Sequence, residues 1–330
     1  MLSELHFAIS KYYSDEADQS IYHLKATENG KSPAYFQLKS NLTNPSDLVR
    51  KIRDESTRPV ILFHKLWGSN CEPMSLAAKG VAPFFILNHT QGCSAKGVGK
   101  ADGIIGVSRH MLKWMQQKFP RHRKFFVRNG VNQCRYDEVS AGIDPLDGFF
   151  ITGRMNNLNN CKHPLDWIKF CNGIRLPKPL WHDYLGGGIH LNESQKQASK
   201  HRSKNPQGNV VNLPGRVDDF NAKISHLKRW DIFFYEIPGI EGTSMSLLEA
   251  LACGVPALIN NKPGNSEIID RDANGIVYKD RAEAVAVMTS LCKDEKYLKQ
   301  LSSSTKKHFA KHLDAKHSAR KYIDIFKEIA

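Results

Sequence analysis

Two glutamates stand in a stretch that could bind a phosphorylated ligand, "EGTSMSLLEALACGVPAL", residues 241–258. Glu241 opens the stretch, and Glu249 lies eight positions later inside an apolar run. The preceding "DIFFYEI" is β-rich, and "SLLEALACG" has the apolar spacing of a short helix that ends at Gly254. Backbone amides at the start of such a helix, beside flexible Gly242, would form an edge suited to phosphate oxygens.

The same spacing also has a purely structural interpretation. Ser246 and Glu249 are three residues apart, as in a capping box, in which a serine hydroxyl and a glutamate carboxylate bind backbone amides. The spacing alone leaves both interpretations open. Under the first one, the Glu249 carboxylate points toward the same cleft as the loop that carries Glu241.

The elements that must position these residues alternate between strands and helices. Before residue 132 the β-rich runs are "LHFAIS", "PVILFHKLWG", "PFFILNHT", "GIIGVS" and "KFFVRNGV". A second series starts at "GFFITGR" and continues through "LWHDYLGGG", "NVVNLPGRV", "RWDIFFYEI", "VPALIN" and "GIVYKD". Strands that alternate with helices predict parallel sheets. We therefore expect an α/β fold of two doubly wound, Rossmann-like domains that face each other across a cleft.

The boundary between the two domains is predicted near residue 145. The segment "VNQCRYDEVSAGIDPLD" is polar and contains Gly and Pro, which is typical of a linker. A chain of 330 residues also exceeds the usual size of one hydrophobic core. The predicted domains are 1–145 and 146–330. The last segment, "DAKHSARKYIDIFKEIA", is expected to be a helix that caps the second domain or packs back toward the first.

Composition and motifs exclude several classes of protein. Seven cysteines without CxxC spacing argue against a disulfide framework and a zinc site. No run of apolar residues is long enough for a signal peptide or a membrane span, so we expect a cytoplasmic protein. The sequence also has no Walker loop, HExxH or GxSxG motif. No metal site is predicted.

The net charge of +14 predicts an anionic partner. Part of the excess is local, because residues 111–128 hold six Lys or Arg and no acidic residue. Phosphorylated sugars, acidic lipid headgroups and nucleic acid all fit this charge. A well-solvated surface without a ligand is the alternative interpretation.

The residues around the two glutamates resemble the GT-B-fold retaining glycosyltransferases of family 4, the glycosyl transferases group 1. That family carries a Glu, seven residues and a second Glu followed by a tail similar to "EALACGVP". Further landmarks occur in the same order: "VSRHMLKWM" with "VRNGVN", "ITGR", "LPGRV" and "NSEIIDRDANGIVY". The resemblance covers residues from about 60 to 290.

The resemblance implies a role for each charged residue. Arg154 and Lys162 would stabilise the phosphate that leaves as the bond to the sugar breaks. Glu249 would accept hydrogen bonds from the two ribose hydroxyls, and Glu241 would orient the donor sugar. His89 resembles the cleft histidine that contacts that sugar.

The resemblance also implies a wider donor site and an acceptor side. The nucleotide base would be recognised near Gly215, Arg216 and Val217, largely through backbone groups. The phosphates would meet the helix start formed by Gly242, Thr243, Ser244, Met245 and Ser246. His64 and Lys65 are candidate acceptor contacts in the first domain, and the second domain binds the donor.

These observations predict a retaining, metal-independent, hexosyltransferase-like enzyme that uses a nucleotide sugar, with a UDP-sugar as the expected donor and no cofactor. The expected acceptor is an anionic cell-envelope glycan or a lipid-linked intermediate, which would place the protein in the cytoplasm or at the membrane periphery. A hydroxymethylated DNA base is the rival acceptor. A non-catalytic protein that binds nucleotide sugars or nucleic acid is the alternative of another class. The oligomeric state is left open.

Overall fold

The computed structural model describes residues 2–17, 22–24, 41–43, 60–64, 82–88, 98, 101–141, 146–271 and 273–329. These residues divide between two compact units. The first unit takes its residues from Met1–Gly130 and Ala315–Ala330, and the second from Val131–Asp314. The C-terminal helix therefore belongs to the unit that contains the N-terminus.

The first unit contains a parallel sheet of four strands, with a separate parallel pair. The pair is β1 (Tyr22–Leu24) with β2 (Asn41–Thr43). The sheet has its strands in chain order, β3 (Ile61–His64), β4 (Phe84–Asn88), β5 (Gly103–Gly106) and β6 (Lys124–Phe126). Successive residues of β4 point to opposite faces, and both faces are buried, as expected for a parallel sheet.

Three described helices cover this sheet. Helices α1 (Leu2–Tyr12) and α10 (Ala315–Ile329) pack with the core on one face, and α2 (Arg109–Lys118) covers the other. As predicted, Ser108 caps α2, because its side chain accepts a hydrogen bond of 3.1 Å from the backbone amide of Met111.

The predicted strand over "LHFAIS" is wrong, because these residues lie in helix α1. Leu5, Ala8 and Ile9 are buried, and their spacing of three and four residues is that of one helix face. Glu4 in the first turn and Lys11 in the last turn complement the helix dipole.

The second unit contains a parallel sheet of six strands. They are β7 (Phe150–Met155), β8 (Leu180–Leu185), β9 (Val210–Gly215), β10 (Ile232–Tyr235), β11 (Ala257–Asn260) and β12 (Gly275–Tyr278). Their order in space is β12-β11-β10-β7-β8-β9. From β7 the chain adds β8 and β9 on one side of the sheet. It then returns to the other side of β7, where it adds β10, β11 and β12. All of these strands were anticipated by β-rich runs.

Helices cover both faces of the six-stranded sheet. They are α3 (Gln133–Asp137), α4 (Trp167–Gly173), α5 (Leu191–Lys204), α6 (Phe220–Arg229), α7 (Met245–Ala252), α8 (Arg281–Lys293) and α9 (Glu295–His312). Asp219, Asp280 and Asp294 each accept a backbone hydrogen bond at the start of α6, α8 and α9. The predicted α/β class with two parallel sheets is confirmed.

Candidate functional site

The winding of the six-stranded sheet reverses between β7 and β10, which are adjacent and parallel. In open α/β sheets a crevice forms at such a switch point, beyond the carboxyl ends of the strands, and ligands bind there. Arg154 is the second-to-last residue of β7, and Glu236 follows the last residue of β10. Charged residues therefore stand on both strands at the place where the topology predicts a ligand.

The Arg154 guanidinium is held by the loops that follow these two strands. Its Nε donates to Oδ1 of Asn156 at 2.9 Å, and Nη2 donates to the carbonyl oxygens of Lys162 at 2.8 Å and Glu236 at 3.0 Å. Three aromatic rings surround it, with the Cζ atom 4.5–5.1 Å from the ring centres of Trp167, Tyr184 and Tyr235. The arginine thus ties β7 to β10.

Arg154 is 0% exposed, and within the described part of the chain its Nη1 atom has no hydrogen-bond partner. A buried guanidinium N–H without an acceptor is costly. Because the group is fully buried, a phosphate could satisfy it only after neighbouring residues move. The Arg154 side chain is thus buried, whereas the Lys162 side chain is partly exposed.

The positive charge of Arg154 acts on two nearby histidines. Burial and the Arg154 charge together lower the pKa of His163 to about 4 and that of His182 to about 3. Trp167 donates its Nε1–H to Nε2 of His182 at 3.0 Å, so this nitrogen is an acceptor, and Nδ1 carries the proton toward Thr152 at 2.8 Å. Both histidines are neutral at pH 7 and leave the arginine as the cation at this position.

Lys162 and Glu241 form an ion pair between Nζ and Oε1 at the edge of the sheet. The Lys162 side chain is 38% exposed, and the Glu241 side chain is 10% exposed. The other carboxylate oxygen, Oε2, accepts hydrogen bonds from the Tyr235 hydroxyl at 3.0 Å and from Nδ2 of Asn265 at 3.1 Å. One carboxylate oxygen is therefore held by two buried donors, and the other pairs with a half-exposed cation.

Tyr235 is fully buried at the end of β10, and burial together with the charge of Glu241 raises its pKa well above the usual value. The hydroxyl stays protonated and donates toward Glu241.

Helix α7 begins two residues earlier than the capping-box interpretation requires. Ser244, and not Ser246, is the N-cap residue, and its side chain makes no capping hydrogen bond. Its hydroxyl is 2.8 Å from that of Ser246, while its backbone amide donates to Oδ1 of Asn265 at 2.8 Å. The capping box of Ser246 and Glu249 is therefore wrong.

Glu249 lies one turn into α7, where its carboxylate contacts a second cation. Its Oε1 accepts from Nζ of Lys223 at 2.9 Å and from the Tyr136 hydroxyl at 3.4 Å. The side chains of Glu249 and Lys223 are 14% and 18% exposed. The aromatic ring of Phe220 lies beside both partners, 5.3 Å from the Lys223 ammonium and 5.4 Å from the Tyr136 ring.

The predicted base-recognition segment lies at the end of β9. Gly215 has a φ of +87°, which favours glycine, and its carbonyl accepts from the amide of Gly186 at 2.8 Å. Arg216 is exposed and pairs with Asp218, and Val217 packs against the core. The segment thus turns sharply at the same edge of the sheet as the other predicted residues.

Three predicted residues of the first unit cannot be placed in the same detail. His89 and Lys65 lie outside the described residues. His64 is the last residue of β3. The roles predicted for these residues stay predictions.

Glu236, which sequence analysis did not assign to the site, has a structural partner. Arg281 donates to both Glu236 oxygens at 2.8–3.3 Å and to Asp166 at 2.6 and 2.8 Å. The hydroxyl of Tyr278 also donates to Glu236 at 3.2 Å. This arginine therefore ties the loops after β7 and β10 to helix α8.

A cavity of about 330 Å³ lies at the opposite edge of the six-stranded sheet, near the starts of β7, β8 and β10. Phe149, Trp230, Asp231 and the Lys178–Glu295 ion pair contribute to its lining. Among the predicted site residues that the structure describes, none lines it. The Asp231 carboxylate accepts a hydrogen bond of 2.7 Å from the Ile151 amide, so it bonds to the backbone of β7.

Two further searches cover only the described residues. No cluster of three or more His, Cys, Asp or Glu side chains there could hold a metal ion. Within the same residues, no helix combines the length and the apolar character needed to cross a membrane.

Residues 155–308 match the family model described as "Glycosyl transferases group 1". An uncharacterized glycosyltransferase of Methanocaldococcus jannaschii is 28% identical over 243 residues, which are 70% of this chain and 59% of the relative. The chain thus spans less than two thirds of that relative. The matched segment begins one residue after Arg154 and contains Lys162, Glu241 and Glu249. Residues 155–308 are therefore similar to a glycosyl transferases group 1 domain.

Solved structures agree in fold. Crystal structures of Anabaena HepE in complex with UDP and with UDP-glucose give TM-scores of 0.68 and 0.67 at 14% identity, each over 86% of this chain and 82% of theirs. The glycosyltransferase from Rickettsia africae gives 0.69 at 15% identity, over 89% of this chain and 84% of its own. The predicted GT-B fold is confirmed.

Sequence reasoning missed several residues that hold the predicted ones. Asn156, Tyr235 and Asn265 contact Arg154 or Glu241, and Tyr136 and Lys223 contact Glu249. A Tyr at the end of a buried strand was the signal for Tyr235. Asn265 opens the landmark "NSEIIDRDANGIVY" but was given no role, and the other three have no local motif.

Proposed function

We propose that the protein is a retaining glycosyltransferase of family 4 that transfers a sugar from a nucleotide-sugar donor. The observation that carries the proposal is the group of Arg154, Lys162 and Glu241 at the switch point of the sheet, inside or next to the matched domain. Two cations and a carboxylate at one crevice suit a ligand that carries both a diphosphate and a sugar.

The chemistry follows from the charges. Breaking the bond between the anomeric carbon and the diphosphate leaves negative charge on the phosphate and positive charge on the sugar ring. Lys162 would leave Glu241 and neutralise the phosphate, and loop movement would expose Nη1 of Arg154 to it. Glu241 would then be free to accept hydrogen bonds from sugar hydroxyls. These cations would take the role that a metal ion has elsewhere, so the reaction needs no metal and no cofactor.

We propose a UDP-sugar as the donor, because the neighbours of known structure include complexes with UDP and UDP-glucose. In this proposal Oε2 of Glu249 accepts hydrogen bonds from the ribose hydroxyls, because the hydrogen bonds from Lys223 and Tyr136 both go to Oε1. The amides of Met245 and Ser246 at the start of α7 would bind phosphate oxygens, because the Ser244 side chain does not cap them. The Ser244 amide itself donates to Asn265.

For the acceptor we propose an anionic glycan or lipid-linked intermediate. Arg109, Lys113, Lys118, Arg121 and Arg123 are exposed on or near helix α2 of the first unit. Such a surface would attract an acidic membrane and place the protein at its cytoplasmic side. Duplex DNA with a hydroxymethylated base is the competing acceptor, because its phosphates would meet the same charges.

The first experiment separates an enzyme from a binding protein. Purified protein is incubated with UDP-, GDP- and ADP-sugars, and release of the free sugar and its anomeric form are followed by NMR. We expect release from a UDP-sugar with the anomeric configuration kept, and loss of that release in Glu241→Ala. Glu193→Ala on the exposed face of α5 is the matched control. Nucleotide binding without turnover would support a non-catalytic protein, and full activity of Glu241→Ala would show that the site is wrong.

The second experiment separates the two acceptors. Binding to duplex DNA and to anionic vesicles is measured between 50 and 200 mM salt, with neutral vesicles as the control. We expect binding to anionic vesicles, weakened by salt. Tight binding to duplex DNA with a steep salt dependence would favour the DNA-modifying function instead.

A further inference from the structure

Asn265 connects the start of helix α7 to the carboxylate of Glu241. Its Oδ1 accepts from the Ser244 amide at 2.8 Å, and its Nδ2 donates to Oε2 of Glu241 at 3.1 Å. The side chain is 1% exposed. It follows the turn "KPG" and is the first residue of the landmark "NSEIIDRDANGIVY".

The two partners leave one possible orientation for the amide. A backbone N–H only donates, and an ionised carboxylate only accepts, so the Asn265 oxygen must face Ser244 and its nitrogen must face Glu241. A side chain with two acceptor oxygens would satisfy only the first of these contacts. The chemistry of the site therefore requires an amide at this position.

The backbone keeps Asn265 in this place. Gly264 has a φ of +86°, and a Cβ atom at that position would overlap the carbonyl oxygens of Glu241 and Gly242. The turn that carries Asn265 thus lies directly against the loop that carries Glu241. Asn265 and Glu241 are therefore held near each other by the packing of the two backbone segments that carry them.

We propose that Asn265 is a positioning residue for the donor sugar. It fixes Oε2 of Glu241, so that Oε1 faces Lys162 and the place of the sugar. This inference rests on the proposed function. It predicts that Asn265 affects the sugar half of the donor and leaves the nucleotide half unaffected. The nucleotide contacts proposed above involve the side chains of Arg154, Lys162 and Glu249 and the amides of Met245 and Ser246, and the side-chain hydrogen bonds of Asn265 go to Ser244 and Glu241 instead.

The test uses Asn265→Asp, which keeps the size of the side chain and the contact with Ser244. At pH 8 the new carboxylate faces Glu241 and repels it. Two carboxyl groups at hydrogen-bond distance share one proton as the pH falls, and that proton restores a donor between them. The charged or titratable groups that face the pair are Lys162 from the loop after β7 and Tyr235 from β10, with Arg154 behind Tyr235. Because the cations oppose protonation, we expect recovery only at acidic pH.

Affinities for UDP and UDP-glucose are measured by calorimetry at pH 8 and pH 5.5, for the wild type, Asn265→Asp and Asn265→Ala. At pH 8 we expect Asn265→Asp to weaken UDP-glucose binding about tenfold and UDP binding less than twofold. At pH 5.5 the loss should shrink severalfold for Asn265→Asp and persist for Asn265→Ala. Asn192→Asp, an exposed change of the same charge on α5, should leave all affinities unchanged.

Each other outcome is decisive. Equal losses of affinity for UDP and UDP-glucose, or no dependence on pH in Asn265→Asp, would mean that Asn265 only supports the fold. Thermal unfolding of the variants would then show a lower stability than that of the wild type. A wild type that binds no nucleotide of the donor panel would overturn the proposed function, and this inference would fall with it.

Discussion

Two carboxylates of the second unit have opposite surroundings. Asp183, in the middle of β8, is fully buried and accepts hydrogen bonds from Trp181, Asn212, His226, Arg229 and Trp230. Glu241, in the loop after β10, has two buried donors on one oxygen and the half-exposed Lys162 on the other.

The two carboxylates differ in how easily the paired cation can leave. The cation that pairs with Asp183 is 8% exposed, so neither partner can leave without exposing an uncompensated charge in the core. Lys162 can leave Glu241 for water or for a phosphate more easily, because its side chain is 38% exposed and its ammonium can be hydrated, while Tyr235 and Asn265 still donate to Glu241. Similar chemical groups thus hold the sheet together in one place and are able to exchange partners in the other.

Loss of the Asp183 charge should have the largest effect. In Asp183→Asn the buried Arg229 has no counter-charge, and we expect a loss of about 3–5 kcal/mol in the free energy of unfolding by urea at pH 7. Asp218→Asn, an exposed position, should change it by less than about 0.5 kcal/mol. A small effect at Asp183 would remove the contrast between the two carboxylates.

The same residue predicts a dependence on pH. Burial raises the pKa of Asp183, but the hydrogen bonds from His226, Asn212 and Trp230 and the charge of Arg229 outweigh burial and hold it below the usual range. A carboxyl group with a lowered folded pKa contributes stability above its unfolded pKa of about 3.9, and this contribution is lost as the pH falls further. The difference between wild type and Asp183→Asn should therefore be constant from pH 7 to 5 and shrink below about pH 4.

Glu241→Gln should affect turnover and not stability. The amide oxygen can still accept from Tyr235 and Asn265, so we expect a change of less than about 1 kcal/mol in unfolding free energy. Without the charge, donor turnover should fall about 100-fold, a typical loss for one electrostatic group in an active site. An unfolding midpoint that drops as in Asp183→Asn would place Glu241 with the supporting residues.

Lys162→Met should weaken binding of UDP about tenfold, because the proposed site then has one cation fewer for the diphosphate. The effect on binding should shrink at high salt. Lys196→Met, another exposed lysine on α5, is the control. Unchanged UDP affinity would leave Lys162 as a partner of Glu241 only.

Lys223→Met should have the smallest effect, a loss of about threefold in UDP affinity, because Glu249 keeps its second donor, Tyr136. The loss should disappear with 2′-deoxy-UDP if Lys223 acts through the ribose contact of Glu249. The same loss with both nucleotides would point to the phosphates instead.

Local signals predicted most of the fold and marked only some of the residues that meet at the candidate site. Runs of β-branched and aromatic residues located every strand of the two larger sheets, and Ser108 marked a helix start. "LHFAIS" was misread because a short apolar run does not distinguish a strand from one face of a helix. The glutamates and Arg154 belong to motifs. Lys223 lies outside these motifs, and Asn265 opens the landmark "NSEIIDRDANGIVY" but was given no role. They lie 26 and 24 residues from the glutamates they contact, and packing alone brings each pair together.

A crystal structure of the protein with UDP tests the central claim most directly. We predict the diphosphate within hydrogen-bond distance of the Arg154 guanidinium and the Lys162 ammonium, the ribose at Glu249, and Lys162 separated from Glu241. UDP bound elsewhere, such as in the cavity at the opposite edge of the sheet, with the Lys162–Glu241 pair intact, would contradict it.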